Sequence, residues 1–181
     1  MVGSLFRLAA AALFASAVAG CATSPAVRLS NYGARPSYGA EIERPTTPNQ
    51  CVPYARARSG IAIRGDANTW WAHAEGRYQR GSTPLLGSVI VLTGYARDGR
   101  NHLGVVSSLV SDREIRIDHA NWLDDGNIYV DDPVVDVSAN NDWSQVRVWN
   151  PRTRAWGIKV YLVEGFIGPG PEADAEKVAL N

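Results

Sequence analysis

At 181 residues, 45% hydrophobic and 20% charged, the chain suits one ordinary globular domain with a core of its own. Its 18 Lys+Arg and 18 Asp+Glu cancel and the pI is about 6.8, so charge leaves no footprint for a nucleic-acid partner. Six tryptophans make the chain strongly aromatic; most are expected in the core, leaving one or two for a sugar- or peptide-stacking groove.

The first 20 residues read as an export signal: a positive flank with Arg7, an apolar run from Leu8, and small residues up to Gly20. That run is short for the ~30 Å hydrocarbon core of a bilayer. Val18-Ala19-Gly20-Cys21 resembles the bacterial lipobox, which implies cleavage before Cys21 and lipidation of its thiol. Ala22 is not the aspartate that retains such lipoproteins at the inner membrane. The resemblance therefore implies an outer-membrane lipoprotein whose domain faces the periplasm. From Cys21 to Asn49 the chain carries Pro25, Pro36, Pro45 and Pro48 without helical or strand period, and reads as a tether.

A loop ends at Gln50, and a short helix is expected to open at Cys51, with Pro53 in its first turn and Gly60 as its stop. A second helix is predicted from Asp66, as N-cap, through Trp70, Trp71 and Ala74 to Gly76. Ser88-Val89-Ile90-Val91-Leu92 reads as a strand buried on both faces. Gly94 to Asn101 is a hairpin loop, followed by strands over 102–107 and 114–119. Val146–Trp149 and Val160–Val163 read as further strands, and residues 171–181 as a tail. Helices first and hairpin-linked strands afterwards predict an α+β fold, with N-terminal helices packed on an antiparallel sheet.

Cys51 is the thiol left once Cys21 is consumed. An unpaired cysteine in an exported protein needs a reason, and a nucleophile is the most economical. At the opening of a helix, unpaired N–H groups and the dipole favour a thiolate. Strand parity puts Ile115, Ile117, His119 and Asn121 on one side. A turn near Ser111-Asp112 would bring His102 and His119 together. Cys51, His102 and His119 can then supply nucleophile, base and orienting group, with Asn121 the other candidate for the third role. The Cys51 N–H and the Gln50 side chain are candidates for holding an oxyanion. Three histidines without a second usable cysteine make no recognisable zinc set, so no cofactor is expected. His73 reads as a surface residue and Asp124-Asp125-Gly126-Asn127 as a solvated turn.

In series, Gln50-Cys51-Val-Pro-Tyr-Ala-Arg56, Trp70-Trp71, Pro84-Leu-Leu-Gly87, Asn101-His102-Leu-Gly-Val-Val106 and His119-Ala-Asn121-Trp122 resemble the CHAP family. These are cysteine, histidine-dependent amidohydrolases/peptidases of the NlpC/P60-like, papain-like group. The resemblance runs from about Gln50 to Trp122. It implies Cys51 as nucleophile, His102 as base, and a catalytic domain over 50–170 that cuts amide bonds in peptidoglycan through a thioester. His119 stands where many members carry an acidic residue, and Asn101 where a glycine is usual. A neutral imidazole in that acidic position leaves the cysteine–histidine ion pair less populated. The competing reading is a cell-wall-binding lipoprotein that keeps the fold without turnover; a transferase using the same thioester is a third.

Overall fold

A computed structural model describes residues 38–96 and 98–169. The export signal, the lipid site at Cys21 and the tail at 171–181 lie outside the described residues.

Helix α1 spans Cys51–Ser59 and starts at the expected residue, with Pro53 in its first turn, where no backbone donor is needed. Gly60 ends it at φ 71°, a left-handed conformation that glycine adopts without Cβ strain, and its N–H bonds the Arg56 carbonyl at 3.1 Å. The second helix is shorter than expected. Asp66 leads into a 3-10 turn over Ala67–Thr69, and α2 holds only Trp70–His73.

Nine strands follow the chain: β1 Glu41–Glu43, β2 Arg80–Gly81, β3 Val89–Thr93, β4 His102–Ser111, β5 Glu114–Ala120, β6 Ile128–Asp136, β7 Gln145–Asn150, β8 Ala155–Trp156 and β9 Tyr161–Ile167. The neighbours run β6-β5-β4-β3-β9-β7, every pair antiparallel, and β7 pairs back onto β6. Six strands thus close into a barrel, with β1, β2 and β8 as short additions to β6, β9 and β7. Closure leaves no free edge among the six.

This corrects the expected architecture. The described residues form a mostly β structure, a closed barrel with two short helices, and not an α+β papain-like fold of N-terminal helices on an open sheet. The physical reason is β6. Asp131, Asp132 and Pro133 interrupt its apolar pattern, and proline weakens any strand assignment. Yet β6 pairs β5 on one side and β7 on the other, through Val134↔Val148 and Val135↔Arg147, and these pairings shut the barrel. The segment read as tether also carries β1, where Ile42 pairs Tyr129.

β3 is buried on both faces as its sequence predicts. Ile90 and Leu92 enter the barrel core with Val106, Ile115, Ile117, Tyr129, Val134 and Phe166. Val89 and Val91 face outward into a second cluster, beneath α1 and α2, with Ala55, Ile61, Ile63, Trp70, Leu103 and Val105. Cys51 and Val52 pack against this second cluster, so the start of α1 is fixed to the barrel wall where β4 begins. Of the six tryptophans, Trp70, Trp122 and Trp143 are buried and Trp71, Trp149 and Trp156 half-buried, so half rather than most lie in the core.

Candidate active site

Three strands and one helix converge at the mouth of the barrel beside α1. Cys51 is the first residue of α1, half-buried, and free. Its sulfur meets the backbone N–H of Leu103, the residue after His102, and also the N–H groups of Val52 and of Cys51 itself. Cys51 and His102 line one open cavity of about 480 Å³, shared with Gln50, Tyr95, Arg100 and Asn121. A cavity of that size suits a short peptide segment or a small molecule.

His102 is buried at the start of β4, and its ring is fixed on several sides. The Tyr95 and Trp122 rings each lie 4.8 Å from it, centre to centre. Its Nε2 is 2.9 Å from His119 Nδ1, and His119 Nε2 is 2.9 Å from Asp132 Oδ2. The side chains of His119 and Asp132 are wholly buried. Strand pairing therefore brings His102 and His119 together, as the turn near Ser111-Asp112 predicts. Parity aims His119 into the same interior, against Tyr129 and Trp122.

Asn121 does not touch His102 through any hydrogen bond described. It holds the approach to α1 instead, in a left-handed conformation at φ 59°. Its Nδ2 donates to Gln50 Oε1 at 3.0 Å and its Oδ1 accepts the Gly126 N–H at 2.7 Å. Asn49 N–H donates to the Gly126 carbonyl at 2.9 Å, tying the residues before Cys51 to the 124–127 turn. Trp122 is buried among Tyr95, His102, His119 and Tyr161, so it packs behind the histidines rather than lining the cavity. The Tyr95 hydroxyl donates to the Trp122 carbonyl, which fixes one wall of this box.

Electrostatics place the resting site on the neutral side. Burial pushes the Cys51 thiol above its ordinary value of 9.0, and the surrounding N–H groups and the Arg100 charge only partly oppose this. Burial, and secondly His119, holds His102 well below the ordinary imidazole value of 6.5. The expected helix-stabilised thiolate is therefore outweighed by desolvation. Both shifts favour the neutral thiol and the neutral imidazole.

Asp132 is the site residue that sequence reasoning missed. Its signal was an acidic pair inside an otherwise apolar stretch, Ile128-Tyr-Val-Asp-Asp-Pro-Val-Val135. A charged residue at an inward strand position needs a buried partner. Tyr95, inside the hairpin loop, was also missed. Among the described residues no cluster of His, Cys, Asp and Glu has the makings of a metal site.

Cys51 and His102 thus share one cavity, with His119 and Asp132 hydrogen-bonded in line behind His102. Residues 43–121 match the family model described as the CHAP domain, in agreement with the five motifs. Over that segment the chain is similar to the CHAP domain, and CHAP domains are generally hydrolases acting on peptidoglycan. Asp132 lies beyond the matched segment. No curated protein gives a significant match to the chain.

Proposed function

We propose that the protein hydrolyses an amide bond of peptidoglycan, within the stem peptide or between sugar and peptide, through a thioester on Cys51. The observation that carries this reading is the shared cavity of Cys51 and His102, with the buried His119 and Asp132 hydrogen-bonded in line behind the base. Because burial shifts both groups towards their neutral forms, sulfur attack and proton transfer go together. As Sγ bonds the carbonyl carbon, its proton passes to the free ring nitrogen of His102. The tetrahedral oxyanion is met by backbone N–H at the start of α1 and by the Gln50 amide, whose carbonyl end is already engaged by Asn121. The C–N bond then breaks, and the leaving amine takes the proton from His102. Water, deprotonated by His102, attacks the thioester and releases the carboxylic acid and the thiol.

The Cys21 lipobox supports an outer-membrane anchor, with the chain between Cys21 and the domain giving the site reach towards the wall. Purified protein is expected to release soluble muropeptides from sacculi, and Cys51→Ser or His102→Ala to abolish the release. Undiminished release by both variants refutes the mechanism. A second reading, a wall-binding protein without turnover, draws support from the shift of both groups towards their neutral forms. An active-site electrophile separates the two, because only the enzyme gives fast, His102-dependent labelling of Cys51.

A further inference from the structure

We propose that Asp132 is a positioning residue that fixes the proton arrangement of both buried histidines and so presents a lone pair of His102 to Cys51. Its catalytic consequence rests on the hydrolase reading; the proton arrangement itself does not.

The chain of constraint starts at the carboxylate. An ionised carboxylate only accepts hydrogen bonds, so at 2.9 Å from Asp132 Oδ2 the Nε2 of His119 must carry hydrogen. A neutral imidazole has one N–H, which leaves His119 Nδ1 as an acceptor. That acceptor lies 2.9 Å from His102 Nε2, which must then be the donor. His102, kept neutral by burial, has its lone pair on Nδ1. Nδ1 is the nitrogen not engaged by His119 and the one left for the cavity side.

Two neutral histidines in contact can be ordered in either direction, and one direction gives His102 an Nδ1–H that cannot take a proton from sulfur. A second histidine alone therefore cannot select a base. The carboxylate that His119 displaces from the third position is restored one step further back, on β6. Burial raises the Asp132 pKa, while the His119 hydrogen bond and the Arg116 charge favour the carboxylate against it. Strand irregularities serve this placement. The β5–β6 register shifts between Ile117 and His119, and Asp131 adopts φ 58° with its N–H on Asp118 Oδ1 at 2.9 Å.

Asp132→Asn reverses the chain without emptying the site. Oδ1 of Asp132 is buried without a hydrogen-bond partner among the described residues. The variant can leave its carbonyl oxygen there, at no new cost, and turn its NH2 towards His119 Nε2. His119 must then protonate Nδ1, His102 Nε2 becomes the acceptor, and the His102 proton moves to Nδ1.

The test uses the full-length protein, 15N-labelled at its three histidines, in detergent micelles at neutral pH. Long-range 1H–15N correlation reads which nitrogen of each ring is protonated. In the wild type, His102 and His119 are expected as Nε2–H tautomers; in Asp132→Asn both switch to Nδ1–H. Turnover should fall with KM unchanged, by up to the ~10⁴-fold that the same carboxylate-to-amide change causes in a serine-protease triad. A wild-type His102 protonated at Nδ1 overturns the proposal, as does an Asn variant that keeps the wild-type tautomers. Should Asp132→Asn not fold, the wild-type spectrum decides alone. The expected tautomers together with sacculus digestion indifferent to Cys51→Ser support the proton arrangement and sink the hydrolase reading instead.

Discussion

Gly126→Ala, outside the cavity, should damage both the domain and the reactivity of Cys51. Gly126 sits at φ 71° in the 124–127 turn, where an L side chain costs roughly 1–2 kcal/mol. A Cβ there would meet Pro48 Cβ at 2.5 Å and Pro48 Cα at 2.9 Å. One of these is backbone, so the chain before Cys51 must move. The Asn49 N–H bond to the Gly126 carbonyl then stretches or breaks, at about 1 kcal/mol. Together these give about 2–3 kcal/mol, or a Tm lower by roughly 5–12 °C. Gly76→Ala is the control, because Gly76 also has positive φ (68°) but nothing within 4 Å of an added Cβ. It should cost only the backbone term. Thermal melts of both variants, with Cys51 labelling by a substrate-like electrophile at a temperature where each is folded, supply the readout. Equal melting temperatures, with labelling unchanged in Gly126→Ala, would refute the claim that this turn positions the nucleophile.

The remaining predictions concern protonation and the aromatic box. Iodoacetamide alkylation of Cys51 should rise in a single step above the ordinary thiol value of 9.0; a plateau at acid pH that vanishes in His102→Ala would instead reveal a preformed ion pair. His102, depressed in the folded state, stays neutral where the unfolded chain binds a proton. Stability should therefore fall as pH drops below about 6.5, by up to ~1.4 kcal/mol per unit, and urea midpoints of His102→Gln should show a shallower decline. Tyr95→Phe keeps the ring against His102 but removes the hydroxyl donor to the Trp122 carbonyl. It should cost about 1 kcal/mol in denaturant and lower kcat more than it raises KM.

The local chemistry of the site was legible where one residue type answers one local demand. Pro53 and Gly60 mark the ends of α1, and the run Val89–Leu92 announces burial on both faces of β3. The pairing of His102 with His119 followed from strand parity and one turn. The fold was illegible at β6, because its information is non-local. Asp132 occupies an inward position for the sake of His119, and Asp131 turns its N–H to Asp118, so neither obeys the alternation that marks a strand. Without β6 the strands read as an open sheet, and the two short helices gained weight they do not have in the molecule. The thiolate expectation meets a similar limit: a helix start is visible in sequence, but the burial that opposes it comes from β4 and the second cluster beneath α1.

Intact-mass analysis of acid-quenched protein during turnover of stem-peptide substrate addresses the acyl-enzyme most directly. A mass increment equal to the acyl fragment, confined to the peptide containing Cys51 and removed by hydroxylamine, is the predicted result. Steady product release with no adduct on that peptide, continuing in Cys51→Ser, would contradict catalysis through this sulfur.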